Sequence, residues 1–231
     1  MLLYTPKFIG ARVKRREDPA LVQGAGRYVD DFVLPRMLHL AILRSPHAHA
    51  KIRKITIERA AALPGVVRVL TGRELEGQVE LPVLLGIPPG TKVPRRPFLA
   101  TEEANYVGEP VTAVVAEDRY VAADALDLLE VQYEPLAPVV DPEAALAPKS
   151  PRVHPEFPDN VALRQQWETG DVAGAFQSAD RVIRGRFVNQ RLVGLAMEPR
   201  GCLAENIGAA SSPSGRAPRL PTASRSGWQR C

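Results

Sequence analysis

The sequence predicts an α+β fold, and three observations carry that expectation. Short apolar or alternating segments such as RMLHLAIL, KIRKITI, VVRVL and PVTAVVA have the length and residue types of strands. The 22 prolines and 17 glycines fall largely between such segments, as turn signals do. A helical period is clear in one place, directly after Asp118.

In chain order, Arg36–Leu43 is the first expected strand, and Lys51–Ile57 the second, with Ile55 and Ile57 on one face. Ala60–Leu63 reads as a short helix closed by the Pro64-Gly65 turn, and Val66–Leu70 returns as a strand. Leu81–Pro97 holds five prolines and two glycines and is expected to be a long surface loop. Pro110–Ala116 is apolar throughout, as a strand buried on both faces would be. Asp118 is a good N-cap for a helix whose Val121, Ala125 and Leu128 share a face. Val131–Tyr133 follows as a short strand, and the seven prolines of residues 134–165 suggest a linker. Asp171–Ala179 reads as a short helix and Asp180–Asn189 as a strand, with Ile183 and Phe187 on its apolar side.

Composition bounds the function. With 231 residues, 45% hydrophobic and 24% charged, the chain is long enough for one or two domains with a real core. Two cysteines exclude a disulfide framework and any four-cysteine metal site. No apolar run approaches the ~20 residues that span a bilayer, and Lys7 interrupts the N-terminus too early for a secretion signal. A soluble, cytoplasmic setting without a membrane partner is therefore expected. The net charge of +4 comes from four arginines within residues 206–231; residues 1–205 hold 26 basic and 26 acidic side chains. A nucleic-acid partner is not expected of a neutral body.

Residues 206–231 differ from the rest. Ser, Gly, Pro and Ala make up 15 of these 26 residues, and Ile207, Leu220 and Trp228 are too scattered to form a core, so a disordered tail is expected. Arginine outnumbers lysine 24 to 6 across the chain, the mark of a GC-rich gene. Out-of-frame translation of such a gene yields Arg, Ala, Pro, Ser and Gly, so a frameshift after about Glu205 is the favoured origin, with a natural tail as the alternative.

Few residues suggest chemistry. His47 and His49 would share a strand face, near His39, and could offer imidazoles to a metal; the plainer account of Arg44–Ala50 is a hydrogen-bonded turn with structural histidines. Gly24-Ala25-Gly26 lacks the third glycine and the helix of a dinucleotide site, and reads as a turn leading to strand residues Tyr28 and Val29. Cys202 reads as a small buried residue. The pairs Asp30-Asp31 and Glu102-Glu103 read as solvated loop ends rather than acid–base dyads, and Lys14-Arg15-Arg16 is compensated by Glu17-Asp18. Residue types and spacing thus assign no catalytic, cofactor-binding or metal-ligating residue.

Four blocks together carry a resemblance. They are IGARVKRREDPALVQGAGRYVDDFVLPRMLHLAILRSPHAHAKI (9–52), LPGVVRVLTGREL (63–75), YVGEPVTAVVAEDRYVAADALDLLEVQYEPLAPVVDPEAAL (106–146) and TGDVAGAFQSADRVIRGRFVNQRLVGLAMEPRGCLAE (169–205). In order and spacing they resemble the N-terminal part of the large, molybdopterin-binding subunit of the xanthine dehydrogenase/aldehyde oxidase/carbon monoxide dehydrogenase family. The resemblance implies an α/β-hammerhead domain (22–137) and the incomplete start of a molybdenum-cofactor-binding domain (166–205); an N-terminal arm (1–21), a Pro-rich linker (138–165) and the tail (206–231) complete the expected division.

Family members oxidise a carbon centre at a molybdenum–pterin site with a late glutamate as base, and pass electrons through [2Fe–2S] clusters on a small subunit to FAD on a medium subunit. Their cofactor loops and catalytic glutamate lie beyond the point matching Glu205, so the resemblance carries over no site residue. The Met197-Glu198-Pro199-Arg200-Gly201 block is a family marker, for which buried ion pairs of Glu198 and Arg200 are the structural account. Two functions follow: an N-terminal fragment of a molybdenum hydroxylase subunit, an oxidoreductase by family but inactive alone, or a stand-alone hammerhead module that docks on the iron–sulfur and flavin subunits or aids their assembly.

Overall fold

A computed structural model describes residues 10–77, 87–196, 198 and 200–204. The expectations for residues 206–231, and for the first half of the 81–97 loop, lie outside the described residues. The chain divides into two units: residues 36–184, and residues 10–35 with 185–204.

The larger unit contains two antiparallel three-stranded sheets. The first has β1 (His39–Arg44), β5 (Pro110–Ala116) and β3 (Val66–Thr71), with β5 in the middle. Ile42 faces Ala113 across one ladder, and Val69 faces Val114 across the other. Because β5 is central and covered, Val111, Thr112, Val114 and Ala116 are fully buried, as its unbroken apolar run predicts. The expected strand from Arg36 begins three residues later. Arg36 adopts a left-handed φ of 59°, which breaks an extended run.

The helix α4 (Arg119–Asp127) packs against this sheet. Asp118 caps it: its carboxylate accepts from the Tyr120 N–H at 2.7 Å and from Val121. Small residues make the contact, with Ala122 and Ala125 buried, so the helix sits close to the strands. Val69, Val114, Ala125, Leu129 and Ala60 form one core, the last from α2 (Glu58–Ala61). Between α2 and β3 the chain reverses at Gly65, φ +88°, whose carbonyl accepts from the Glu117 N–H at 2.9 Å.

The second sheet is ordered β4 (Glu103–Ala104), β2 (Ala50–Thr56), β6 (Glu130–Pro135). Its core is Ile52, Ala100 and Val111, flanked by Ile55, Val131 and Tyr133. After β3 comes a four-residue helix, α3 (Gly72–Leu75). Gly72 is required there: a Cβ would stand 2.5 Å from the Ala100 carbonyl oxygen and 2.7 Å from that of Leu99.

Residues 138–165 hold one 3-10 turn, Ala144–Leu146, and are otherwise irregular. Prolines deprive this stretch of backbone donors, and the Asn160 side chain substitutes. Its amide donates to the Ala145 and Pro151 carbonyls and accepts from the Val153 N–H. The Lys92 N–H donates to the Ala162 carbonyl at 2.8 Å, and its ammonium meets Asp159 at 2.5 Å. Hydrogen bonding to Lys92 holds the Asp159 carboxyl below the usual range. The last helix of the unit is α5 (Val172–Ser178), inside the expected span Asp171–Ala179, and Asp171 caps it.

Two expected strands are absent. Residues 181–196 form no helix or strand and are exposed throughout: Ile183 is 87% and Phe187 93% accessible. A strand is defined by its ladder, and no described residue pairs with this stretch. Tyr28 and Val29 also leave the strand class. Val29–Asp31 is a 3-10 turn, because the Asp31 carboxylate accepts from the Tyr28 N–H at 2.8 Å and closes the chain locally. Upstream, Asp18–Val22 forms α1, with Arg15 and Asp18 paired at 3.0 Å as the charge run suggests.

Candidate functional site

The densest set of buried polar groups lies where β1 passes into β2, in the Arg44–Ala50 block. Ser45 is the pivot. Its backbone N–H donates to the Glu109 carbonyl at 2.9 Å, and its carbonyl accepts from the Gly108 N–H at 2.8 Å. Its hydroxyl lies 3.1 Å from both the N–H and the carbonyl oxygen of His47, closing a tight turn. Arg44 reaches the Gly108 carbonyl at 2.8 Å. The loop entering the central strand β5 is thereby fastened to the end of β1.

The histidines do the same for the second sheet. His47 meets the Tyr133 ring of β6 edge-on, with centroids 4.9 Å apart. His49 is 8% exposed. Its Nδ1 lies 3.0 Å from the Ala137 carbonyl oxygen, so that nitrogen carries the proton, and its own carbonyl accepts from the Leu136 N–H at 2.9 Å. Its Nε2 faces the Glu103 carboxylate of β4 at 3.5 Å, off the line of a hydrogen bond. Glu103 is therefore an inward-facing carboxylate and not a solvated loop end, because β4 turns it toward His49. Spacing alone puts the two histidines on one strand face; the structure places both in the bend before β2.

Glu109 sits beside this corner. Its carboxylate accepts from the Asn105 N–H at 2.5 Å, and burial pushes its carboxyl above the usual range. Burial, and then the Glu109 charge, raise the Tyr106 phenol; burial also raises Tyr133, with Ser45 opposing. Perturbed groups in a cluster often mark an active site. Here most of the hydrogen-bond partners are backbone amides and carbonyls of turns, and the side-chain contacts, Ser45 and His47 with Tyr133 and His49 with Glu103, join strands and do not pair a nucleophile with a base. The corner is a clasp between two sheets. Among the described residues no group of three His, Cys, Asp or Glu side chains is placed to hold a metal.

In the smaller unit, Glu198 accepts from the Val29 N–H at 3.2 Å, while Arg200 is exposed. Arg200 therefore contributes no buried ion pair. Cys202 is exposed, contrary to expectation, since the irregular chain around it offers nothing to bury it. The residues 181–196 do not fit a pterin: a cofactor cradle needs groups that converge, and these are exposed and without regular structure.

Two sheets clasped at a polar corner, with a capped helix on one of them, form an α+β domain that an irregular segment follows. Residues 23–137 match the family model described as aldehyde oxidase and xanthine dehydrogenase, a/b hammerhead domain, and residues 153–210 match the molybdopterin cofactor-binding domain. The nicotine 6-hydroxylase large subunit of Paenarthrobacter nicotinovorans is 38% identical over 87% of this chain and 24% of that protein. The carbon monoxide dehydrogenase large chain of Afipia carboxidovorans is 38% identical over 85% of this chain and 25% of that protein. The crystal structure of quinoline 2-oxidoreductase from Pseudomonas putida 86 superposes with a TM-score of 0.66 at 40% identity, over 75% of this chain and 22% of that one. The chain belongs to the xanthine dehydrogenase, aldehyde oxidase and carbon monoxide dehydrogenase family and corresponds to the N-terminal part of its molybdopterin-binding large subunit. It spans about a quarter of the length of these two relatives.

Proposed function

We propose that the chain is the opening part of the large subunit of a molybdenum hydroxylase and has no oxidoreductase activity alone. The observation that carries this reading is the state of residues 181–196. They match a cofactor-binding domain in sequence, yet Phe187 and Leu195 are 93% and 91% exposed. Such a segment needs more polypeptide to cover it before any cofactor could be held. In this reading that polypeptide supplies the molybdenum–pterin site and the base. A small iron–sulfur subunit and a medium FAD subunit accept the electrons, in the cytoplasm, and residues 206–231 are an out-of-frame product.

The test has two parts. The purified chain is assayed for molybdenum and pterin, and for dye-linked oxidation of carbon monoxide, hypoxanthine, an aldehyde and an N-heteroaromatic. The expected result is neither metal nor turnover; stoichiometric molybdenum with turnover overturns the reading. The gene is then translated past codon 205 in all forward frames. A continuation into glycine-rich loops and a late glutamate is expected in another frame.

A second reading is a stand-alone docking or assembly module. It is favoured by the two buried cores that residues 36–184 possess by themselves. It requires the chain to co-purify with the iron–sulfur and flavin subunits when no other molybdenum subunit is expressed. Failure to do so removes it.

A further inference from the structure

The second sheet is incomplete along one edge. β4 pairs with β2 only at Ala50 and Lys51, and one further bond joins the Ile52 N–H to the Glu102 carbonyl. On its other side β2 is paired with β6 as far as Thr56. Residues 53–56 therefore face no strand on the β4 side among the described residues. A groove runs along this open stretch. Its floor is Ile52, Ile55 and Ala100, and its far wall is Thr71–Arg73, held against residues 99–100 by the close approach at Gly72.

The groove is cationic. Arg53 is taken up by Glu134, its Nε donating at 2.6 Å. Lys54 and Arg73 are exposed, and among the described residues neither has an ion-pair partner. The nearby Glu74 is engaged with Thr71 and Arg68. Open backbone groups, an apolar floor and two uncommitted cations are together the requirements for adding a strand of defined charge.

We infer that the Arg53–Thr56 edge of β2 is a docking site for an extended acidic segment of another polypeptide. The segment adds as a strand beside β2, with apolar side chains against Ile52 and Ile55 and carboxylates toward Lys54 and Arg73. Backbone hydrogen bonds supply affinity and the cations supply selection. This inference does not depend on the activity of the complete subunit.

The test uses the full chain and fluorescein-labelled heptapeptides, followed by anisotropy. An alternating Glu-Val peptide should bind, with an affinity that falls as salt is raised. A Lys-Val peptide should bind at least about tenfold more weakly. A Glu-Val peptide N-methylated on alternate amides keeps its charge but cannot pair, and it too should lose about tenfold. The double variant Lys54→Glu/Arg73→Glu should reverse the preference between acidic and basic peptides. Bound peptide should slow hydrogen exchange at residues 53–56. No binding, undiminished binding of the N-methylated peptide, or unchanged preference in the double variant each overturns the proposal.

Discussion

The strand Pro110–Ala116 and the segment 180–189 carry similar promise in sequence and reach opposite states. Both are rich in β-branched residues, the second with Phe187 as well, and both are bounded by turn or cap residues. The first is hydrogen-bonded on both sides, to β1 and β3, and Val111 and Val114 are 0% exposed. In the second, Ile183 and Phe187 remain in solvent and no ladder forms among the described residues. Burial of a valine or phenylalanine side chain stabilises by about 1.5–3 kcal/mol, and that gain exists only where a partner surface exists. Strand character is thus a property of the pairing, and a sequence segment only supplies one half of it.

Paired substitutions break the comparison most severely. Val114→Asp places a charge in the centre of the first core without a partner, which costs several kcal/mol or more, about the whole stability of a small domain. Loss of the cooperative urea transition is expected by far-UV circular dichroism. Phe187→Asp should leave that transition unchanged, and a shift of the midpoint in this variant would mean that the segment is packed after all.

Gly72→Ala tests the second sheet. The added methyl meets two backbone carbonyls, which cannot rotate away, so a loss of about 1–3 kcal/mol is expected. A wild-type denaturation midpoint would show that the 99–100 segment yields easily.

The smallest effect concerns the clasp and sharpens the contrast between buried and solvated carboxylates. Burial raises the Glu109 carboxyl, so its ionisation opposes folding. Its contribution is fully present below the pKa of the unfolded chain and is lost as pH rises through the folded one. Glu109→Gln keeps an acceptor for the Asn105 N–H and removes the titration. Stability of the wild type should therefore decline relative to the variant across that rise, read from urea midpoints at several pH values. Parallel pH profiles would show that the carboxyl is not desolvated.

Much of the fold was legible because it is local. Asp118 caps its helix through residues two and three positions on, and Pro64-Gly65 turns the chain where it stands. The candidate site was legible only as a motif. His47 and His49 stood out, but Glu103, Tyr133 and Ala137, which decide what those histidines do, lie 54 to 88 positions along the chain from the histidines they meet. Cys202 was expected to be buried because the sequence offers it no catalytic partner, and Arg200 as half of a buried ion pair; both are exposed, because burial of either depends on chain far from it in sequence.

By itself the sequence determined the family, the apolar central strand, the capped helix and the self-compensated charge run at residues 14–18, since each depends on contacts within a few residues or on a long shared pattern. The tertiary structure alone decided which apolar segments became strands, that the histidine block fastens two sheets, and that the Arg53–Thr56 edge of β2 pairs with β6 alone among the described residues. These outcomes rest on pairings between distant positions, whose free energy comes from surface removed from water on both partners at once.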